Sequence, residues 1–559
     1  LDWTTACPDW RERLRAGRTL TPCDPLFPDE ARAALEVFNT LRVVDAAESP
    51  TFGDISRPWV SEFVASIFGA YDAASGRRLI REFFLLIAKK NGKSTVSAGI
   101  MGTALLRNWR QSGEFLILAP TLEVANNSFF PARDMIKADD ELADVLKVQE
   151  HLKTISHRVT GATLKVVAAD NETVSGKKAI GVLIDELWLF GKRANAENML
   201  REATGGLASR PEGFTVYLST QSDEPPAGVF KQKLDYFRKV RDGKIDDKRS
   251  MPLLYEFPPE MIKSGECYAP QNFGITNPNL GLSVDAEYLA DEMRKARDSG
   301  EASLCGFAAK HLNVEIGLAL GSNAWPGAPF WTQAARPGVT LASILDRCEA
   351  VTVGIDGGGL DDLFGLAVVG REKETRKRMT WSRAWAHRKV LDTRKSEAPR
   401  LLDFEQQGDL IFVDRMEDAF AGAADIIVEI NEAGLLCGVG LDPYGVKGVV
   451  DELARRGVEG DDIVVGVPQG FRLQGVIKSV EVALSDGRME HADQPIMDWC
   501  VGNAKIEIKG NAALMTKQAS GVAKIDPLMA LFDAESLMLT NPESKASLYT
   551  AARGIAVFG

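Results

Sequence analysis

The order of apolar and polar positions divides the 559-residue chain into two stretches of different texture. In the first, short unbroken apolar runs end in polar residues. They are FFLLIA at 83–88, FLILA at 115–119, AIGVLIDE at 179–186 and TVYLS at 215–219. Runs without alternation suit strands buried on both faces. A helical pattern over 94–107 starts directly behind the first run, and another covers 284–299. Strands alternating with helices predict a doubly wound, mostly parallel α/β sheet whose ligand lies at the strand carboxyl ends. Residues 321–338, with Pro326, Pro329 and Pro337, read as an irregular connector. Beyond it, strand-like runs at 351–355, 364–371 and 379–386 have short turns between them and predict an antiparallel meander. Helices at 417–433 and 471–484 then alternate with strands at 435–441 and 463–467. No internal repeat interrupts this order.

Composition narrows the class. The length exceeds one core, so at least two domains are expected. Hydrophobic content of 45% and charged content of 26% are those of a globular protein. No apolar run is long enough to span a bilayer, and the start, LDWTTACPDWRERLRAG, has no secretory h-region. Seven scattered cysteines without a CxxC pair, and five histidines, predict reduced thiols and no zinc centre. A net charge of −12 does not attract DNA as a whole. Two basic runs, 238–249 and 371–378, are candidate DNA-facing patches or solvated turns.

The first candidate chemistry is IAKKNGKST at 87–95. A phosphate loop aims backbone N–H groups at an anion from a helix N-terminus. Gly92 allows close approach, Lys93 brings a charge to the β- and γ-phosphates, and Ser94 offers a hydroxyl to Mg²⁺. The first glycine of G-x-x-x-x-G-K-[ST] is replaced by Ile87. A second element, GVLIDE, ends an apolar strand in two acids. Asp185 would hold Mg²⁺ and Glu186 would polarise the attacking water. Thr220, in STQ after the next strand, is a candidate coupling residue that senses the γ-phosphate. Arg133, Arg158, Arg201 and Arg210 are candidates for an arginine that stabilises the developing charge, and the chain does not choose among them.

The second half carries three acids, each about 85 residues from the next. Asp356 and Asp442 end strands, and Asp526 opens a helix. Taken singly, each suits a turn or a cap. If the fold gathers them, hard oxygen ligands suit Mg²⁺ or Mn²⁺, and two such ions would serve phosphodiester cleavage. Asp362 and Asp533 are reserve ligands.

Together these motifs resemble the large terminase subunits of tailed double-stranded DNA bacteriophages. The resemblance runs from about Pro58 to about Leu537. It rests on LIAKKNGKST, on Ser175-Gly176-Lys177-Lys178 leading into GVLIDEL, on STQSDEP and on Asn277-Pro278-Asn279-Leu280-Gly281. It continues in VGIDGGGLDDLFGLAVV, GLDPYG, VPQGFRL, MDWCVGN and TKQASGVAKIDPLMAL. It implies an α/β protein with an N-terminal P-loop ATPase domain of the ASCE type and a C-terminal ribonuclease-H-like nuclease domain. The expected boundaries are an N-terminal extension at 1–55, the ATPase at 56–325 with a small helical lid at about 255–325, a linker at 326–347 and the nuclease at 348–559.

The resemblance also assigns roles. A substituted first loop glycine followed by a basic residue, here Lys89, is common in the family. Lys89, Asn91, Gly92, Lys93, Ser94, Thr95 and Asp185 would then bind ATP, with Asp185 and Glu186 as the Walker B pair and Thr220 as the coupling residue. Asp356, Asp442 and Asp526 match the nuclease metal ligands. Family members often carry an adenine-reading glutamine near Pro58-Trp59, where Val60 stands here.

The implied activity is ATP-driven packaging of double-stranded DNA, with Mg²⁺ at the ATPase and Mg²⁺ or Mn²⁺ at the nuclease. Expected partners are DNA, a small terminase subunit and the portal. The expected state is a pentameric ring on the portal and a monomer in solution, in the host cytoplasm and absent from the mature virion. The alternative is a helicase-like or repair ATPase fused to a nuclease, although no strand-coupling helicase motif follows Thr220. A non-enzymatic scaffold would not need intact Lys93, Glu186 and the three acids.

Overall fold

The computed structural model describes residues 2–168, 179–193, 196–316, 325–395, 397–442, 447–509, 512–515 and 524–543. The Ser175–Lys178 motif and parts of the GLDPYG and TKQASGVAKIDPLMAL segments lie outside them. The chain divides into two units, Leu1–Ile316 and Gly317–Gly559.

In the first unit the strands and helices that position the site are β1 (Glu82–Leu86), α1 (Lys93–Leu106), β2 (Glu114–Ala119), α2 (Leu122–Lys137), β3 (Leu146–Gln149), β4 (Thr154–His157), β5 (Thr163–Ala168), β6 (Ala179–Ile184), α3 (Leu187–Phe190), β7 (Phe214–Ser219), α4 (Gly228–Arg241), β8 (Ser250–Leu254), α5 (Ala286–Asp298) and α6 (Glu301–His311). The sheet order is β8-β1-β7-β6-β2-β5-β4-β3. Strands β8 to β5 along this order are parallel, and the last two pairings are antiparallel. The loop strand β1 and the acid strand β6 are therefore separated by β7, which ends in Ser219-Thr220. All three carboxyl ends point to one edge.

β6 and β7 are buried along their whole length, which is why they read as unbroken apolar runs. The N-terminal extension belongs to this unit's core: Trp10, Phe38 and Phe52 pack in the same apolar cluster as Phe83 and Ile117. The basic run at 238–249 turns partly inward. Arg238 pairs with Glu256 and Glu315 at 2.6 Å each, and Arg241 pairs with buried Glu256 at 2.6 Å. These two guanidiniums hold the core and are not a DNA face.

The second unit opens with α7 (Ala328–Ala334), within the stretch expected to be irregular, and α8 (Leu341–Arg347), within the expected linker. Pro329 lies in the first turn of α7, and Trp325 and Trp331 anchor this stretch in the unit's core. Then follow β9 (Cys348–Gly357), β10 (Leu363–Glu372), β11 (Arg378–His387), β12 (Leu410–Val413), α9 (Met416–Glu432), β13 (Leu436–Leu441), β14 (Val464–Gly466), α10 (Gln474–Ser485), β15 (Met489–His491), α11 (Pro495–Asn503) and α12 (Asp526–Met538). The order is β12-β11-β10-β9-β13-β14, with β15 also on β11. β9–β10–β11 is the expected antiparallel meander, and β13 runs parallel to β9. This is the ribonuclease-H-like arrangement. In the second basic run, Arg371 pairs with Glu349 and Arg378 with buried Glu535.

α12 lies directly on the meander because small residues clear a path for it. A Cβ at Gly354 would collide with the carbonyl of Ala530. At Gly365 it would stand 2.6 Å from the Pro527 nitrogen, and at Gly440 2.8 Å from the Asp533 carbonyl. Thr352 seals the contact by donating to the Ala534 carbonyl at 2.9 Å. Gly354→Val is expected to lift α12 and cost about 1–3 kcal/mol or more of stability. Calorimetry on the two units should show only the second melting earlier, with ATP turnover kept and DNA cleavage lost.

Among the described residues no two of the seven cysteines are joined by a disulfide. Among the described residues, no helix is long and apolar enough to cross a membrane.

Candidate active sites

At the carboxyl edge of the first sheet, Gly92 takes φ +78° and caps α1, so Lys93 is the first helical residue. The neighbouring Lys90 also has positive φ, +72°. Such a turn aims successive N–H groups the same way, as an anion site requires. Lys93 is buried, 6% exposed, and its Nζ stands 3.6 Å from Glu186 Oε1. Ser94 and Thr95 follow on the first turn and are half-buried, and Lys89 is exposed.

Asp185 ends β6 and is 1% exposed. Burial pushes its carboxyl up to about 6; the Glu186 charge adds to this, and Lys93 and the Ser128 hydroxyl oppose it. Ser128 on α2 donates to Asp185 Oδ2 at 2.8 Å, and the Glu186 N–H donates to Oδ1 at 3.0 Å. Glu186 itself has φ +50°, a left-handed conformation that costs a non-glycine residue on the order of 1–3 kcal/mol. Trp188 Nε1 donates to Glu186 Oε2 at 2.7 Å and fixes that carboxylate. A lysine, a buried acid and an oriented second carboxylate thus meet at one sheet edge.

The side chain of Asn91 faces away from the open edge of this loop. Its amide donates to the Ala88 carbonyl at 3.1 Å and to Asn277 Oδ1 at 2.8 Å. In return Asn279 donates its backbone N–H to Asn91 Oδ1 and its amide to the Asn91 carbonyl, both at 3.1 Å. Trp59 Nε1 completes the chain on Asn279 Oδ1 at 2.8 Å. The NPNLG segment is therefore a clamp on the phosphate loop, and Val60 beside Trp59 is a core residue. Asn277→Ala would take one acceptor from the buried Asn91 amide and the donor from the His311 carbonyl, a loss of about 1–3 kcal/mol. The expected result is a lower melting temperature, read by calorimetry.

Thr220 is buried after β7, and Ser219 Oγ donates to the Thr220 carbonyl at 2.8 Å. The four arginine candidates are engaged locally among the described residues. Arg133 pairs with Asp134 and Glu150, Arg201 with Glu197, Arg158 donates to the Ala143 carbonyl, and Arg210 to that of Ser209.

In the second unit, β9 and β13 pair in register with Ile355 opposite Leu441, so Asp356 and Asp442 leave adjacent strand ends together. The Asp442 N–H reaches the Ile355 carbonyl at 3.5 Å. Asp526 is the first residue of α12, which the glycine path sets over these strands. A Cβ on Gly357 would lie 3.2 Å from Asp526 Oδ1. The fold therefore brings the three distant aspartates to one sheet end.

Asp533, two turns along α12, joins them. Burial pushes its carboxyl up to about 8, with the Asp442 charge adding to this against the Gln469 amide at 2.8 Å. Asp362, the other reserve ligand, is paired with Lys524 Nζ at 2.6 Å, and Lys524 also donates to the Asp361 carbonyl. That pair closes the glycine loop after Asp356 onto the segment leading to Asp526. Among the described residues no three His, Cys, Asp or Glu side chains already form a metal cage. The donor set is nonetheless of the right kind. Asp356, Asp526 and Asp533 are buried hard oxygen donors, and the Asp442 charge acts on Asp533, so the acids put negative charge at this sheet end that a divalent cation would neutralise.

Comparison with known proteins points to one family. The chain matches the family profile "Terminase large subunit, ATPase domain" over residues 58–239 and "Terminase large subunit, endonuclease domain" over 253–540. It is 22% identical to the terminase large subunit of Lactococcus phage p2 over 468 residues, 81% of each chain. It is 25% identical to protein YmfN of Escherichia coli K12 over 337 residues, 57% of this chain and 69% of that one. The crystal structure of the HK97 bacteriophage large terminase aligns with 18% identity and a TM-score of 0.47, covering 90% of this chain and 99% of that one.

Proposed function

The chain belongs to the terminase large subunits, DNA-packaging proteins that join an ATPase to an endonuclease, and from that premise we propose how its own residues divide the work. The observation that carries the reading is the pairing of two edges: Lys93 meeting Asp185 and Glu186 in one unit, and Asp356, Asp442 and Asp526 converging in the other.

At the first edge the N–H groups of 90–95 and Lys93 receive the phosphates, and Ser94 and Asp185 orient around the bound nucleotide's cation. Glu186, held by Trp188, accepts the proton of the attacking water. Arrival of the phosphates draws Lys93 away from Glu186, so the base is released only when substrate is in place. Thr220, on the strand between loop and acid, reports the change to the rest of the sheet.

At the second edge Asp356, Asp442 and Asp526 would hold Mg²⁺ or Mn²⁺, with Asp533 as a fourth oxygen donor. When bound, such ions would lower the pKa of a water and stabilise the leaving oxygen of a phosphodiester. Gln469 orients Asp533, and the Lys524–Asp362 pair sets the position of the loop after Asp356.

The motor would translocate double-stranded DNA through the portal as a ring of five copies, with a small subunit choosing the cutting site. DNA contacts would be mainly to phosphates and weaken with salt. An arginine from a neighbouring copy would complete each ATPase, and Arg133, Arg158, Arg201 and Arg210 remain the candidates.

The test is protection of linear duplex DNA from nuclease by portal-bearing procapsids supplied with this chain. Protection should need hydrolysable ATP and intact Glu186. ATP-dependent strand separation without protection would favour the helicase-like alternative.

A further inference from the structure

The end of α6 brings a lysine to the ATPase that no motif marks. Lys310 Nζ lies 3.1 Å from the centroid of the Trp188 ring and donates to the Gln221 carbonyl at 2.9 Å. Its own carbonyl accepts the N–H of Lys89 at 2.8 Å. One residue therefore touches three segments of the site: the phosphate loop, the segment whose Trp188 fixes Glu186, and the segment behind Thr220.

The following residues reinforce the knot. Asn313 Oδ1 accepts the Gln221 N–H at 2.9 Å, and Asn313 Nδ2 donates to the Tyr255 carbonyl at 2.6 Å behind β8. The His311 carbonyl accepts from Asn277, the residue that clamps Asn91. Gln221 is fully buried, and neither polar atom of its side-chain amide has a hydrogen-bond partner among the described residues. A buried amide in this condition gains from any movement that brings it a partner. The Gln221 main chain is held at both the N–H and the carbonyl by the end of α6.

We infer that Lys310 is a positioning residue of the ATPase, which holds Trp188 and hence Glu186 in register with the Thr220–Gln221 segment and passes a change at one to the other. The cation over the indole is an electrostatic contact worth more when desolvated, and the ammonium has a second bond to the coupling segment. Movement of Glu186 on binding of the phosphates shifts Trp188, and Lys310 must then follow or release Gln221. Either response transmits the nucleotide state to β7 and to the helices before α6.

The charge on Lys310 is poised. Burial pushes its ammonium down to about 8; the carboxylates of Asp223 and Glu186 oppose this, and the ammoniums of Lys192 and Lys93 add to it. A neutral amine keeps a hydrogen bond but loses its attraction to the indole face. Turnover should therefore fall as pH rises through about 8, for a reason that a guanidinium in its place would remove.

The experiment compares the full chain with Lys310→Met and Lys310→Arg, measuring ATPase kinetics from pH 6.5 to 9.5 and binding of a fluorescent ATP analogue. Lys310→Met should lower kcat about 10- to 100-fold, with KM and analogue affinity changed less than about threefold. Lys310→Arg should recover most of kcat and lose the decline above pH 8. A Lys310→Met chain with unaltered kcat, or a loss confined to KM, would overturn the inference. If the Met variant does not fold, the Arg variant decides: an unchanged alkaline decline contradicts the role assigned to Lys310.

Discussion

Lys93→Ala is expected to abolish ATP turnover, by on the order of 10²- to 10³-fold in kcat, the loss typical of removing one donor aimed at developing charge. The structure argues for the upper end. Lys93 is buried and is the cation facing both Asp185 and Glu186. Without it the two carboxylates are left together at a buried strand end, and the Asp185 carboxyl is driven still further above its ordinary range. A protonated Asp185 is a poor ligand for a nucleotide's cation, so affinity for Mg·ATP should fall together with kcat. Divalent-dependent nicking of plasmid DNA should persist, because Asp356, Asp442 and Asp526, the acids proposed for cleavage, belong to the other compact unit. A coupled ATPase assay and a plasmid assay on the same preparation check both halves of the statement.

Asp356→Asn is expected to have the reciprocal effect. Replacing one oxygen of a buried carboxylate by an amide removes a full negative charge from the group of acids at the β9 and β13 ends. A cation centre supplies several kcal/mol to such a reaction, and each ~1.4 kcal/mol is tenfold in rate, so cleavage should fall by about 10² or more. The amide is nearly the size of the carboxylate, so α12 should remain on its glycine path and the second unit should melt at or above its original temperature. Loss of cutting without loss of folding separates a chemical role from a structural one. ATP turnover should be unchanged within about twofold.

The outline of both units was legible in the chain for a physical reason. Strands buried on both faces have nothing polar to alternate with, so β1, β2, β6 and β7 stand out as apolar runs, and the two acids that follow β6 sit where a parallel sheet exposes its carboxyl edge. β3 (LKVQ) and β4 (TISH) lie at the sheet's edge, are partly polar and short, and leave no comparable trace. The stretch around 321–338 looked irregular because its prolines break periodicity, yet Pro329 lies in the first turn of a helix and Trp331 carries the burial.

Charge was less readable than apolarity. Arg238 and Arg241 resemble a DNA-binding run until Glu256, 15 to 18 residues away, is seen between them. Asn91 lies within a nucleotide-binding motif, but its side chain is spent on Asn277 and Asn279, almost 190 residues on. Lys310 had no signal at all, since it ends a helix of ordinary composition and matters only through what the fold places beside it. The three aspartates were suspected from their strand-end and helix-start positions. Their convergence depended on Gly354, Gly365 and Gly440, whose purpose becomes visible only once α12 rests on them.

The account turns on one chain holding two separate phosphate-handling centres, and the second is the one its present geometry leaves least assembled. The direct measurement is anomalous scattering from crystals of the full chain soaked in Mn²⁺, with Asp442→Asn crystals as control. The account predicts manganese bound by Asp356, Asp442 and Asp526 together, and lost or weakened in the control. Manganese bound elsewhere, or three aspartates that remain without a common ion under conditions where the chain still cuts DNA, would contradict it.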